Sequence, residues 1–287
     1  MATSDTRSPP GERRSPRTPL SQRFRSVWRT VKPVLRLTVP LAALLIGNVT
    51  PSTGGRYYST DTGEQLTLKL KGAQITLNTN SLTSVRDTRS CLSIRIFQGE
   101  VLFDIAHRPG RCVEVWAGNA RIRDIGTRFD VYLTVDGKVT VTVIEGALEL
   151  AKLDASDPSL SGQASGSIIL QQGERGEVLH NTSAQRPTSQ RVDMSRILSD
   201  ISWERGDLIF DSTTVQEAVQ QFNRYNRRPQ IEIRDALLAS RKMSGVFRSR
   251  DPESFVAGLQ QIEPHVHVIR PDTPEGNIIL TTTIPHR

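Results

Sequence analysis

From about Tyr57 to Val178 the chain is written in a two-residue period. Leu66, Leu68 and Leu70 alternate with Thr67, Lys69 and Lys71, and Ile75-Thr76-Leu77 continues the pattern. Successive side chains of a strand point to opposite faces, so the alternation describes strands with one face buried and one wet. Further strands are expected at 92–97, 101–105, 113–116, 129–135, 139–144 and 148–150, many of them closed by Gly, Asn or Asp. No long stretch with a 3.6-residue period interrupts them. Three motifs, Gln98-Gly99-Glu100, Glu145-Gly146-Ala147 and Gln172-Gly173-Glu174, set Gly in a polar turn beside an apolar strand. That repetition predicts stacked β-turns and a solenoid-like, mainly β domain over residues 57–180.

After residue 202 the period changes. Val215, Ala218, Val219 and Phe222 fall at i, i+3, i+4 and i+7 behind the capping candidates Ser212 and Thr213, which predicts an amphipathic helix. Asp251-Pro252 supplies an N-cap and an N1 proline for a second helix, with Phe255, Val256, Leu259 and Ile262 on its apolar face. Strands are expected near 208–210, 230–233, 242–246, 265–269 and 277–282, making residues 203–287 a two-helix α+β module. Residues 181–202 read as a linker between the two domains. Residues 155–166, small, polar and aperiodic, read as an exposed insertion open to proteolysis.

The net charge of +7 belongs to one end of the chain. Met1 to Arg36 holds nine Arg and Lys against Asp5 and Glu12, and removing these from totals of 37 basic and 30 acidic residues leaves 28 of each. The remainder has no net field to draw in phosphates, so nucleic acid is not an expected partner. Residues 1–33 form a basic, Pro- and Ser-rich tail expected to lack structure in the cytoplasm. Residues 34–50 contain an uncharged apolar run from Leu37 to Val49, extended by Val34 and Leu35, with Arg36 able to snorkel. We read it as a single transmembrane anchor, the alternative being a cleaved signal peptide. Either reading places the residues after about 50 outside the cytoplasm. There Cys91 and Cys112 could form a disulfide or serve as two small buried hydrophobes.

No catalytic constellation stands out. The five histidines lie in no HExxH or GxSxG motif. His265 and His267 share a strand face, yet no third ligand accompanies them, and an exposed face is the simpler reading. Glu100, Asp104, Asp124 and Glu145 supply carboxylates at strand ends, where turns and surfaces ordinarily place them. The expectation is a non-enzyme with no cofactor. At the end of the first predicted helix, Arg224 and Tyr225 could anchor a protein interface, and with Phe210 they form the candidate partner-binding surface.

The segments GAQITLNTNS (72–81), FQGEVLFDIA (97–106), DIGTRFDV (124–131), VTVIEGALEL (141–150) and LQQGE (170–174) together resemble the FecR-type regulators of iron-uptake signalling. The segments WERGDLIFDS (203–212), VQEAV (215–219), FNRY (222–225) and SGVF (244–247) are similar to that family's C-terminal module, itself like the short signalling domain of secretins and TonB-dependent transducers. The resemblance implies a periplasmic part that docks the signalling domain of a TonB-dependent outer-membrane receptor. It also implies an extracytoplasmic-function sigma factor as the regulated partner, and release through envelope proteases. The Pro- and Arg-rich tail, with Trp28 its one tryptophan, departs from the helical segment usual in the family. A periplasmic scaffold without direct sigma-factor control is the alternative that this departure suggests.

Overall fold

The alternation in the first region sorts side chains onto two faces of two sheets. The computed structural model describes residues 55–282, apart from residue 125 and residues 154–163, 181–185, 271–272 and 274–275. The tail, the anchor and most of the 155–166 insertion therefore lie outside the described residues. The chain passes through β1 (Arg56–Ser59), β2 (Leu66–Leu70), β3 (Ala73–Leu77), β4 (Leu82–Asp87), β5 (Cys91–Ile105), β6 (Cys112–Ala117) and β7 (Ala120–Asp124). It continues through β8 (Arg128–Leu133), β9 (Val139–Glu145), β10 (Ala147–Leu153), β11 (Ala164–Gln171), β12 (Glu174–Val178) and β13 (Thr188–Arg191).

These strands form two layers that share β5. Sheet A runs β1-β4-β5-β6-β7-β10-β11, and sheet B runs β2-β3-β5-β8-β9-β12-β13. Ile94, Ile96, Val115 and Ile122 of sheet A meet Ile75, Phe103, Val131 and Val141 of sheet B in one continuous core. Phe103 and Phe129 stack there with ring centroids 4.8 Å apart. The fold is mainly β as expected, but the solenoid-like arrangement is corrected. A solenoid stacks parallel coils, whereas among the described residues only the β5–β6 pairing within the two sheets is parallel.

The three glycine motifs are the corners of this sandwich. Gln98-Gly99-Glu100 is no hairpin turn but a bend inside β5, whose first half pairs with β4 and β6 and whose second half pairs with β3 and β8. Gly99 sits there at φ +88°, and a Cβ on it would come 2.7 Å from the Cα of Ser81. Gly146, at φ +87°, likewise carries the chain from β9 in sheet B to β10 in sheet A. A side chain at either place would meet both an unfavourable φ and a steric clash.

The C-terminal part contains α1 (Met194–Asp200), a 3₁₀ turn at Ser202–Arg205, β14 (Asp207–Thr214), α2 (Val215–Tyr225), β15 (Ile231–Ile233) and α3 (Ala236–Ser240). β16 (Lys242–Arg248), α4 (Pro252–Ile262), β17 (His267–Ile269) and β18 (Ile278–Thr281) complete it. Here β14 pairs with β16, while β18 lies parallel to β15 and antiparallel to β17. Asp251 caps α4 by accepting from the Ser254 N–H at 3.1 Å. The cap of α2 is Thr214 rather than Ser212 or Thr213, because a bulge between Phe210 and Thr213 delays the helix start. Thr214 and Glu217 form a reciprocal capping box.

Residues 181–202 are more than a linker. Within them β13 adds an edge strand to sheet B, and α1 buries Ile197 in the second core. That core is built on Phe210, Phe222 and Phe255, with Phe222 and Phe255 centroids 4.6 Å apart. It also includes Leu102 of β5 and Ile144 of β9, which point away from the sandwich interior. Sheet B is thus covered on both sides, and its outer face is the floor on which the C-terminal module sits.

Candidate partner-binding site

Of the three residues expected to offer a partner-binding surface, Phe210 and Tyr225 are buried and Arg224 is half-buried. Phe210 is 6% exposed and Tyr225 3%, both within the second core. Arg224 lies beside them, its guanidinium Nη2 donating to Glu100 Oε2 at 2.7 Å. The reason lies in the amphipathic pattern of α2, which buries Phe222 against Phe255 in the second core and brings the Tyr225 hydroxyl to Asn78. The structure brings Arg224 and Tyr225 together at the junction with sheet B, against a floor of residues most of which sequence reasoning did not single out.

That floor follows from the period of two. In β5, β8, β9 and β12 the inward positions are apolar, while Glu100, Asp130, Tyr132, Thr142 and Arg175 take the outward ones. A polar outward row ordinarily faces water, and here it meets matching groups from the C-terminal module. Asn78 Nδ2 donates to both Glu100 Oε2 and the Tyr225 hydroxyl oxygen, each at 2.7 Å. The Arg224 guanidinium also lies 4.5 Å from the Tyr132 ring centroid, a cation–π contact. Two further ion pairs cross the junction, Arg128 to Glu204 at 2.6 Å and Arg175 to Asp200 at 2.5 Å. Gln65 donates to the Trp203 carbonyl at 2.6 Å, and Thr79 Oγ1 to the Arg224 carbonyl at 3.2 Å.

The electrostatics of the junction are those of charges taken partly out of water. Burial pushes the Asp130 carboxyl well above the usual range, and the neighbouring Glu100 carboxylate pushes it further, with Arg224 opposing. One Asp130 oxygen, Oδ1, has no hydrogen-bond partner among the described residues. Burial also raises the Tyr225 phenol, again helped by Glu100. Burial works against the Arg224 charge, but Glu100 and the two tyrosines outweigh it and hold the proton more tightly than usual. Exposed side-chain area is 22% at Arg224 and 9% at Glu100, so this pair is desolvated but not sealed. Such a cluster can fix one docking geometry and can exchange its counterions.

Elsewhere, Cys91 and Cys112 face each other across the parallel β5–β6 pair, Cα atoms 4.6 Å apart, and are joined by a disulfide. His265 and His267 are both exposed, and among the described residues no group of three His, Cys, Asp or Glu is placed to hold a metal. Glu100, one of the strand-end carboxylates, is committed to Arg224 and Asn78. Among the described residues no helix is long and apolar enough to cross a membrane.

Residues 56–149, most of the two-sheet sandwich, match the family model described as FecR protein. Two crystal structures of a candidate anti-sigma factor from Parabacteroides distasonis, at 2.50 Å and 1.65 Å, share the fold. Both give a TM-score of 0.59 over 80% of this chain and all of theirs, at 16% and 17% identity. Their span extends the likeness beyond the sandwich. No curated protein matches at a significant level.

Proposed function

We propose that this protein regulates a sigma factor by binding proteins rather than by catalysis, with the C-terminal module on sheet B as the element that responds to a signal. The observation that carries the reading is the coincidence of a FecR match over residues 56–149 with the overall fold of a candidate anti-sigma factor. The junction suggests how a signal enters. Partly buried ion pairs fix an arrangement more than they stabilise it, since desolvation offsets much of the Coulombic gain. A partner that offers its own counterions to Glu100, Arg128 or Arg175 therefore competes with the docked module at modest cost.

In the finer form of the proposal, residues 34–50 anchor the chain in the bacterial inner membrane and the two-module part is periplasmic. There it meets the signalling domain of a TonB-dependent outer-membrane receptor of the siderophore-uptake type. Envelope proteases then act on the anchored chain, and the basic tail communicates with an extracytoplasmic-function sigma factor.

The test is affinity purification of the C-terminally tagged, full-length protein from detergent-solubilised native membranes, with bound proteins identified by mass spectrometry. The proposal predicts recovery of a sigma factor together with a TonB-dependent receptor. Recovery of envelope proteins alone would replace the regulator with a scaffold.

A further inference from the structure

Sheet A has one face in the sandwich core and another turned away from it. The cross-module bonds at Glu100, Arg128 and Arg175 all involve sheet B, so they leave this outer face open. Strand register sets Tyr57, Ser84, Arg95, Trp116 and Arg121 side by side across β1, β4, β5, β6 and β7. Tyr57 is 51% exposed and stacks on Phe97 with centroids 5.9 Å apart. In the neighbouring row Arg123 takes up both glutamates of the face, Glu114 at 3.0 Å and Glu149 at 4.0 Å. Arg86, Arg95 and Arg121 have no carboxylate partner among the described residues. Two adjacent donors, Trp116 Nε1 and Arg121 Nε, are enclosed without an acceptor among the described residues. Among the described residues, this face thus leaves positive charge and hydrogen-bond donors unmatched beside the exposed Tyr57 ring and the half-buried Trp116.

We infer that the outer face of sheet A is a docking surface for an acidic protein partner, whose carboxylates engage Arg95 and Arg121 while an apolar side chain covers Trp116. Tyr, Trp and Arg are the residue types that dominate interface energetics. Charge decides the occupant. The chain's own tail is basic and would be repelled, and a second copy would set arginine against arginine. A continuous polyanion would run onto Glu114 and Glu149, two residues along each strand and so roughly 7 Å away. A folded protein surface can place carboxylates on one row and leave the next free. This inference does not rest on the sigma-factor reading, and it concerns the side of the sandwich opposite the junction.

The test places the photocrosslinker p-benzoylphenylalanine at Ser84 of the full-length protein in its native cells and identifies adducts by mass spectrometry. The expected result is one protein adduct through a peptide rich in Asp and Glu. Its yield falls about tenfold in the Arg95→Glu/Arg121→Glu variant and is kept in Arg95→Lys/Arg121→Lys. Trp116→Ala, which leaves the charges in place, lowers the yield as well, and thermal melts of all three variants report whether the fold is intact. Equal yields in the charge-reversed and native proteins, adducts to lipid or nucleic acid only, or no adduct would overturn the inference.

Discussion

Glu100 of the sandwich and Arg224 of the C-terminal module lie 124 positions apart in sequence and 2.7 Å apart in space. They hold a joint in which Asn78 bridges the same carboxylate to Tyr225. Replacing Glu100 by Gln leaves the guanidinium without its counterion. Breaking a fully buried pair costs about 3–5 kcal/mol. Because the Arg224 side chain keeps 22% of its exposure, roughly 2–3 kcal/mol is expected here, once solvent screening is allowed for. Denaturant unfolding of Glu100→Gln, Arg224→Gln and the double variant measures it. The double variant should lose less than the sum of the singles, and strict additivity would mean that the pair is not coupled.

Asp130 makes the junction pH-dependent in a definite direction. Its folded-state carboxyl is held above the ordinary value of 3.8 by burial first and Glu100 second, while Arg224 and Arg175 pull the other way and Asp200 adds to the rise. The folded state therefore prefers the protonated acid. Stability from this group is fully present below the unfolded pKa and is lost as pH rises through the folded one. Asp130→Asn, which cannot ionise, should raise Tm at pH 8 and change it little near pH 4. Equal shifts at the two pH values would show that charge is not the cause.

At the bend of β5 the backbone itself is the constraint. Gly99→Ala puts a methyl group 2.7 Å from the Cα of Ser81 at a φ of +88°. Backbone atoms of a neighbouring strand cannot rotate aside, so a loss of at least about 2 kcal/mol is expected from φ strain and overpacking together. Chemical denaturation reports it, and an unchanged midpoint would mean that the strand crosses between sheets by another route.

The Cys91–Cys112 disulfide closes a short loop, the two residues being 21 positions apart. Loop-closure entropy alone gives about 3 kcal/mol for a loop of that length. The Cys91→Ser/Cys112→Ser variant should lose that amount, and reductant should shift the unfolding midpoint of the native protein but not of the variant. Alkylation of both thiols in protein isolated from cells without reductant would contradict the bond.

Much of the fold was legible because a strand with one dry face must alternate. Leu66, Leu68 and Leu70 declared β2, and the Val215 to Phe222 stripe declared α2. Other features depended on contacts between distant segments. Gln98-Gly99-Glu100 looks locally like a turn, and only the pairing of β5 with strands on both sheets makes it a corner. α1 buries a single residue, Ile197, so its apolar stripe was too short to stand out. The candidate site was hidden for a similar reason. Arg128, Asp130 and Tyr132 read as the wet face of a strand, and nothing local announces that Glu204 and Arg224 will cover them. The basic and aromatic end of α2 was visible as an anchor, but what it grips is the chain's own sheet.

The most direct test of the account is sigma-factor output in cells carrying Glu100→Arg, Arg224→Glu or both, with a deletion strain for reference, read by whole-transcriptome RNA sequencing. The account predicts that deletion shifts one sigma-dependent regulon, that each single substitution also shifts it, and that the charge swap returns it toward the native level. A transcriptome unaltered by deletion would contradict sigma-factor control, while a swap that restores nothing would contradict the role given to the junction.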